Sequence, residues 1–284
     1  MNTRLLKQKA YFQVLRMATA SIIVFLLVIM GMIFIEGVGV INWTFLTDIP
    51  REGMTKGGIF PAIIGTIYLT LLTTAFALPV GIGAAIYLVE YAGQSRFVQI
   101  INSAIVNLAG VPSIIFGLFG FGLFVTFLKF GTSVLSGALT LLLLVLPIVI
   151  SASREALLTV PKQFREGALA LGATKWQTTR LNVLPYGLPG ILTGTILAVA
   201  RAAGETAPII LTATFFYSPI APRTPLDGTM ALPTHIYYMA TQHPNTLQVR
   251  PIAYGTALVL LAMILSLNTI AIAVRMRARK KRNW

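Results

Sequence analysis

Apolar residues fall into six long runs separated by short polar stretches, at residues 17–40, 60–89, 97–128, 130–151, 186–214 and 251–274. An α-helix needs roughly 20 such residues to cross a bilayer, and each run is at least that long. Helices satisfy their own backbone polar groups in lipid, so the pattern predicts an all-α, polytopic membrane protein with six transmembrane helices. The second and third runs are over-long and hold Pro61, Pro79 and Pro112, which predicts bent, tilted or broken helices. The third run also carries Gly117, Gly120 and Gly122, small enough to let helices approach closely. Close packing is the expectation there, ahead of a pore-lining hinge. A tight connection near 129–131 predicts that spans three and four form an antiparallel hairpin.

The polar stretches differ in kind. Residues 41–59 carry the turn signals Asp48-Ile49-Pro50 and Gly57-Gly58, while 90–96 is a short connection. Residues 216–250 are rich in proline, and their semi-apolar middle, 232–242, predicts an interfacial helix with Pro233 in its first turn. His235 and His243 lie in this loop, eight positions apart and with few carboxylates nearby, a pattern that points to structural histidines rather than a metal site.

The longest polar interruption on the other side is 154–185, basic and helix-prone. Pro161 suits the first turn of a helix and Gly172 its end. Thr174-Lys175-Trp176-Gln177 then has the capping-box pattern, which predicts a second helix ending before Pro185. Phe164, Ala168 and Leu171 follow at spacings of four and three, an apolar face able to lie on lipid or fit a partner's groove.

Composition agrees with the pattern: 56% of the 284 residues are hydrophobic, 11% are charged and mean hydropathy is +0.81. A soluble domain carries about a quarter charged residues. No separate segment is long enough to fold as a soluble domain. The net charge of +14 suggests nucleic acid only until the charges are placed. Arg4, Lys7, Lys9 and Arg16 precede the first span, Arg96 follows the second, and Arg154, Lys162, Arg165, Lys175 and Arg180 follow the fourth. Arg275, Arg277, Arg279, Lys280, Lys281 and Arg282 follow the sixth, whereas the opposite side has Arg51, Lys56, Lys129, Arg223 and Arg250. By the positive-inside rule both termini are cytoplasmic, and the basic tail is topogenic and faces lipid headgroups rather than nucleic acid. There are no cysteines, which excludes disulfides and thiol chemistry. The first apolar run is too long for a signal-peptide core and is expected to be a retained helix.

One charge pair falls inside a run. Arg201 and Glu205 are four apart in Ala200-Arg201-Ala202-Ala203-Gly204-Glu205-Thr206-Ala207-Pro208 and share one helix face. A charge at mid-bilayer costs about 2.5–3.5 kcal/mol on insertion scales, so it carries a partner or a function. The bland reading is a self-neutralising pair. The functional one is an anion site in which Glu205 orients Arg201 and weakens its hold enough for release, guanidinium being well matched to a tetrahedral oxyanion. Thr206, Thr212 and Thr214 add hydroxyls nearby.

Glu166-Gly167-Ala168, then Gly172, then Leu184-Pro185 lies in the register of the "EAA" loop of ABC importer permeases, which this chain resembles; Gly167 and Asn182 depart from the usual alanine and isoleucine. In that family the loop docks into a groove on a cytoplasmic ATPase, so the resemblance assigns docking to Glu166, Gly167, Ala168 and Gly172. The whole chain is also similar to the phosphate-importer permeases of the PstA type. The carrying residues are Arg201 to Pro208 above, Gly110-Val111-Pro112-Ser113-Ile114-Ile115-Phe116-Gly117-Leu118-Phe119-Gly120, and Gly65-Thr66-Ile67-Tyr68-Leu69-Thr70. The companion PstC-type subunit usually has methionine after Gly-Glu-Thr, where Ala207-Pro208 stands here.

The resemblance implies a type I importer permease fold in the bacterial inner membrane. It divides the chain into a cytoplasmic segment at 1–16 and a permease domain at 17–284, with the importer core at about 60–276 and the coupling loop at 154–185. It implies a PstC-type permease partner, a PstB-type ATPase pair and a PstS-type binding protein outside. ATP-Mg would sit on the ATPase, this chain having no Walker-type loop and no cofactor of its own. The substrate pathway would include Arg201, Glu205 and Thr206. Related sulfate and molybdate importers are the nearest alternative. An ion-coupled secondary transporter would carry more membrane carboxylates, and an enzyme would need a catalytic constellation that two loop histidines and one carboxylate deep in a span do not make.

Overall fold

The computed structural model describes residues 3–93 and 95–280. Lys281 and Arg282 of the basic tail lie outside the described residues. The elements in order are α1 (Thr3–Gly37), α2 (Trp43–Thr47), β1 (Pro50–Arg51), β2 (Lys56–Gly57), α3 (Phe60–Ile86), α4 (Arg96–Leu108), α5 (Ser113–Gly120), α6 (Val134–Leu158), α7 (Lys162–Ala170), α8 (Lys175–Thr178), α9 (Leu184–Gly204), α10 (Ala207–Thr212), α11 (Leu232–Thr241) and α12 (Thr246–Lys280). Among the described residues five helices are long and apolar enough to cross a membrane, or six if α4 and the helix after it count as one bent span. The all-α expectation holds, with one small hairpin, β1 on β2, in the loop between α2 and α3.

α6 is the hub, packed between α3 and α9. α3 turns a stripe of mostly small residues inward: Ala62, Gly65, Thr66, Leu69, Thr70, Thr73, Ala77, Gly81 and Ala85 are buried at helical spacing. With no hydrophobic drive between helices in lipid, such stripes hold them by close contact. Thr66, Thr70 and Thr74 donate their hydroxyls to carbonyls four residues back, so the stripe buries no unpaired donor there. At Gly65 a Cβ would collide with the Met230 carbonyl and Thr229. α1 stands at the periphery with its apolar side chains largely exposed, and it meets α12 at Gly37, where a Cβ would lie 2.6 Å from the Tyr254 backbone.

The run at 97–128 is broken, as Pro112 predicts: it is two helices bent by 103°. Val111-Pro112 sets the bend, since proline cannot donate and disfavours helix in the residue before it. α4 has Arg96, Gln99, Ser103 and Asn107 on one face, and Ser95 caps it by accepting from Val98 N. It is an amphipathic arm; α5 and the π-turn Phe121–Phe127 then run back against α6. The hairpin expected at 129–131 forms, with Lys129 and Gly131 in left-handed backbone.

The run at 186–214 is also broken. α9 stops at Gly204, Glu205 is extended (φ −70°, ψ 137°), and α10 starts at Ala207. Pro208 is the cause: in a continuous helix its ring would clash with the Gly204 carbonyl four residues back. Conversely, the helix starting at Thr174 does not end before Pro185. It continues from Lys175 to Gly204 through the π-turn Thr179–Val183. The Leu184 N–H bonds the Thr179 carbonyl five residues back, and this wider turn lies directly before the proline ring.

The helix expected at 232–242 forms as α11 with proline in its first turn, but it is not a surface helix. Leu232, His235 and Met239 are buried against α12 and α3. His235 Nδ1 lies 3.1 Å from Thr256 Oγ1. The Thr256 proton goes to the Ile252 carbonyl, so His235 is the donor and carries its proton on Nδ1. Burial holds its pKa down, from 6.5 to about 4. The neutral form is therefore native between those values while the unfolded chain is protonated, so stability falls as pH drops from 6.5 towards 4. We expect a loss on the order of 3 kcal/mol over that window, read as a falling thermal midpoint, and His235→Gln to flatten that part of the profile. Identical profiles for both proteins would contradict this.

Candidate functional site

The loop at 154–185 is a compact element at one end of the bundle. α6 takes its first residues, so Arg154 lies in a helix. α7 follows, with Pro161 at its N-cap, and ends at Leu171; Gly172 at φ +83° turns the chain out of it, a conformation a side chain would strain. The capping box is present in full: Thr174 Oγ1 accepts from Gln177 N at 3.2 Å, and Gln177 Oε1 accepts from Thr174 N at 2.8 Å.

The residues assigned to docking face outward. Glu166, Gly167 and Gly172 are exposed and Ala168 is half-buried. A Cβ at Gly167 or at Gly172 would meet nothing within 4 Å among the described residues, so the space above them is open there. Leu169, Leu171 and Trp176 add exposed apolar surface, Leu171 being 90% exposed. The expected Phe164–Ala168–Leu171 face divides: Phe164 packs on Tyr186, with ring centroids 5.2 Å apart and both rings still exposed, while Leu171 points out beyond the helix end.

The charge pair lies where α9 breaks. Arg201 Nε donates to Glu205 Oε1 at 3.2 Å, and Arg201 is more exposed than Glu205, with side chains 43% and 16% accessible. Glu205 sits in the extended link between α9 and α10, and Arg201 in the last turn of α9, where a cation is favoured. Among the described residues the two terminal guanidinium nitrogens of Arg201 make no hydrogen bond, leaving four N–H groups uncommitted. The Thr206 hydroxyl is also uncommitted among the described residues. Thr212 and Thr214 do not join them, because their buried hydroxyls bond the Pro208 and Ile209 carbonyls. The link is backed by α5: Gly117 lies against Pro208, where a Cβ would be 2.9 Å from the proline Cα, and Gly120 lies against Thr140. Close packing thus accounts for Gly117 and Gly120, while Gly122 faces open space.

Sequence reasoning missed a second ion pair. Arg165 of α7 grips Glu90 through Nη2 at 2.7 Å and Nε at 3.1 and 3.2 Å, and it also donates to the Leu157 and Val160 carbonyls at 2.9 and 2.8 Å. The partners are 75 positions apart. The one available signal was Glu90 itself, an acid placed at the end of a span. The contrast is chemical: Arg165 has every nitrogen engaged, whereas Arg201 has one. His243 is likewise structural, accepting from Asn245 N at Nδ1 and donating from Nε2 to the Gly53 carbonyl. Among the described residues no group of three His, Cys, Asp or Glu side chains is placed to hold a metal ion.

Residues 77–281 match the family described as binding-protein-dependent transport system inner membrane component. The phosphate transport system permease protein PstA 1 of Mycobacterium tuberculosis is 38% identical over 232 residues, covering 80% of this chain and 73% of that one. The probable phosphate transport system permease protein PstA of Methanocaldococcus jannaschii is 34% identical over 267 residues, covering 93% and 92%. Among solved structures, a chain of a bacterial alginate ABC transporter, crystallised with an alginate pentasaccharide-bound periplasmic protein, superposes with a TM-score of 0.67 at 19% identity, covering 94% of this chain and 96% of that one.

Proposed function

The chain belongs to the binding-protein-dependent transport system inner membrane components, a family of multi-pass ABC transporter permease subunits, and from that membership we propose that it imports inorganic phosphate across the bacterial plasma membrane. The relatives' names supply the substrate class, and one observation in the chain carries the reading. Arg201 offers an uncommitted pair of guanidinium nitrogens at a helix break, beside a carboxylate that holds only its Nε. That geometry presents a planar fork to a tetrahedral oxyanion. The neighbouring Glu205 charge repels the same anion, keeping occupancy brief, as a translocation path requires. Thr206 supplies a hydroxyl at the same link.

Import needs an energy source. Moving one negative charge inward against a negative-inside potential costs about 2.3 kcal/mol per 100 mV, and a dianion about twice that. The exposed surface around Glu166, Gly167, Ala168 and Gly172 is where an ATPase of the PstB type would dock, bringing ATP-Mg and the hydrolytic chemistry that this permease does not perform. A PstC-type permease would complete the pathway, and a PstS-type protein would deliver phosphate from outside. In this arrangement both chain termini are cytoplasmic. The test is uptake of radiolabelled phosphate into proteoliposomes holding the four-component complex, with ATP enclosed. ATP-dependent accumulation is expected; ATP-dependent accumulation of sulfate in its place would reassign the substrate.

A further inference from the structure

The turn at Tyr87–Tyr91 is fastened to both helices of the docking loop by two adjacent residues. Glu90 takes the Arg165 guanidinium of α7 in a forked ion pair in which Glu90 is 7% and Arg165 21% accessible. Tyr91 lies under Lys175 of α8, with Nζ 5.1 Å from the ring centroid. Forked, charge-assisted bonds fix orientation as well as distance. The same guanidinium holds the Leu157 and Val160 carbonyls at the end of α6, so one side chain joins α7, α6 and the inner end of α3. The span from Phe60 to Tyr91 is unbroken, so whatever displaces Glu90 displaces α3.

From this geometry we infer that Glu90 is a positioning residue, through which movement of the docking loop is passed to α3 in parallel with its direct covalent passage into α9. The inference rests on the docking role proposed for residues 166–172. Two driven helices on either side of α6 would move the pathway walls together. A loop joined only to α9 would rotate one wall and leave α3 behind. An ion pair that served folding alone would set how much complex assembles and not how much phosphate moves per ATP.

The experiment measures phosphate taken up per ATP hydrolysed by the reconstituted complex, for wild type, Glu90→Gln, Arg165→Lys and the double variant. Each single change should lower that ratio about tenfold while ATPase subunits still co-purify, and the double variant should lose no more than either single one, because both remove one joint. Single variants that assemble and keep the wild-type ratio would overturn the inference, as would losses that multiply in the double variant. If Glu90→Gln fails to assemble, Arg165→Lys decides by the same ratio. The wild-type complex separates the two levels: no uptake by wild type sinks the import reading, whereas normal wild-type uptake with unchanged variants sinks the joint alone.

Discussion

Replacing Arg201 by glutamine should lower phosphate uptake by about 10- to 100-fold while leaving the complex assembled. Charge-assisted hydrogen bonds are worth about 1.5–3 kcal/mol each, and glutamine keeps a donor and much of the length without the charge. The fold should tolerate the change, because the side chain is 43% accessible and its one bond, to Glu205, lies at the surface of a helix break. Glu205 would lose its partner but remains partly open to water. Uptake assays on membranes with matched complex content check this, and normal uptake with normal assembly would remove Arg201 from the pathway.

The second large effect is expected at Glu166. Reversal to lysine changes an exposed residue, for which folding costs lie within about 0.5 kcal/mol. At an interface the same change exchanges attraction for repulsion, and close charge pairs there couple by about 1.5–7 kcal/mol. Glu166→Lys should therefore insert and accumulate normally, yet reduce co-purified ATPase or ATP-driven uptake by at least about tenfold. Unchanged co-purification together with unchanged transport would count against docking at this surface.

These two residues lie on parts of the chain that the fold joins more rigidly than the sequence suggests. Read from the sequence, Pro185 separates the docking loop from the span that carries Arg201. In the structure α8, the π-turn and α9 form one helical path from Lys175 to Gly204, so about 40 Å of helix runs from just beyond the Gly172 turn, next to the surface proposed for docking, to the charge pair. The π-turn was not legible because it depends on how the backbone makes room for a proline ring, and no residue marks it. The capping box at Thr174–Gln177 was legible, since both of its bonds close within four residues.

The apolar runs located the spans because lipid imposes hydrophobicity along the whole length of a helix, but the same signal concealed their breaks. Gly204 and Pro208 spell out the interruption beside Glu205, and Pro112 marks the 103° bend, yet apolar residues continue on both sides of each. Arg201 and Glu205 could be paired from the sequence because they are one helical turn apart. Glu90 and Arg165 could not, because their contact arises only when α7 folds back beneath the end of α3. Burial of α11 was hidden for a similar reason: Pro233 and His235 look like residues of a surface loop until Thr256 of α12 supplies the partner for His235.

This permease is proposed to couple an ATPase to the import of phosphate. The most direct measurement is ATP hydrolysis by the purified complex in the presence of phosphate-loaded or sulfate-loaded binding protein. Hydrolysis is expected to rise with the phosphate-loaded protein and to stay near its basal rate with the sulfate-loaded one. Equal stimulation by both, or stimulation by sulfate alone, would contradict it.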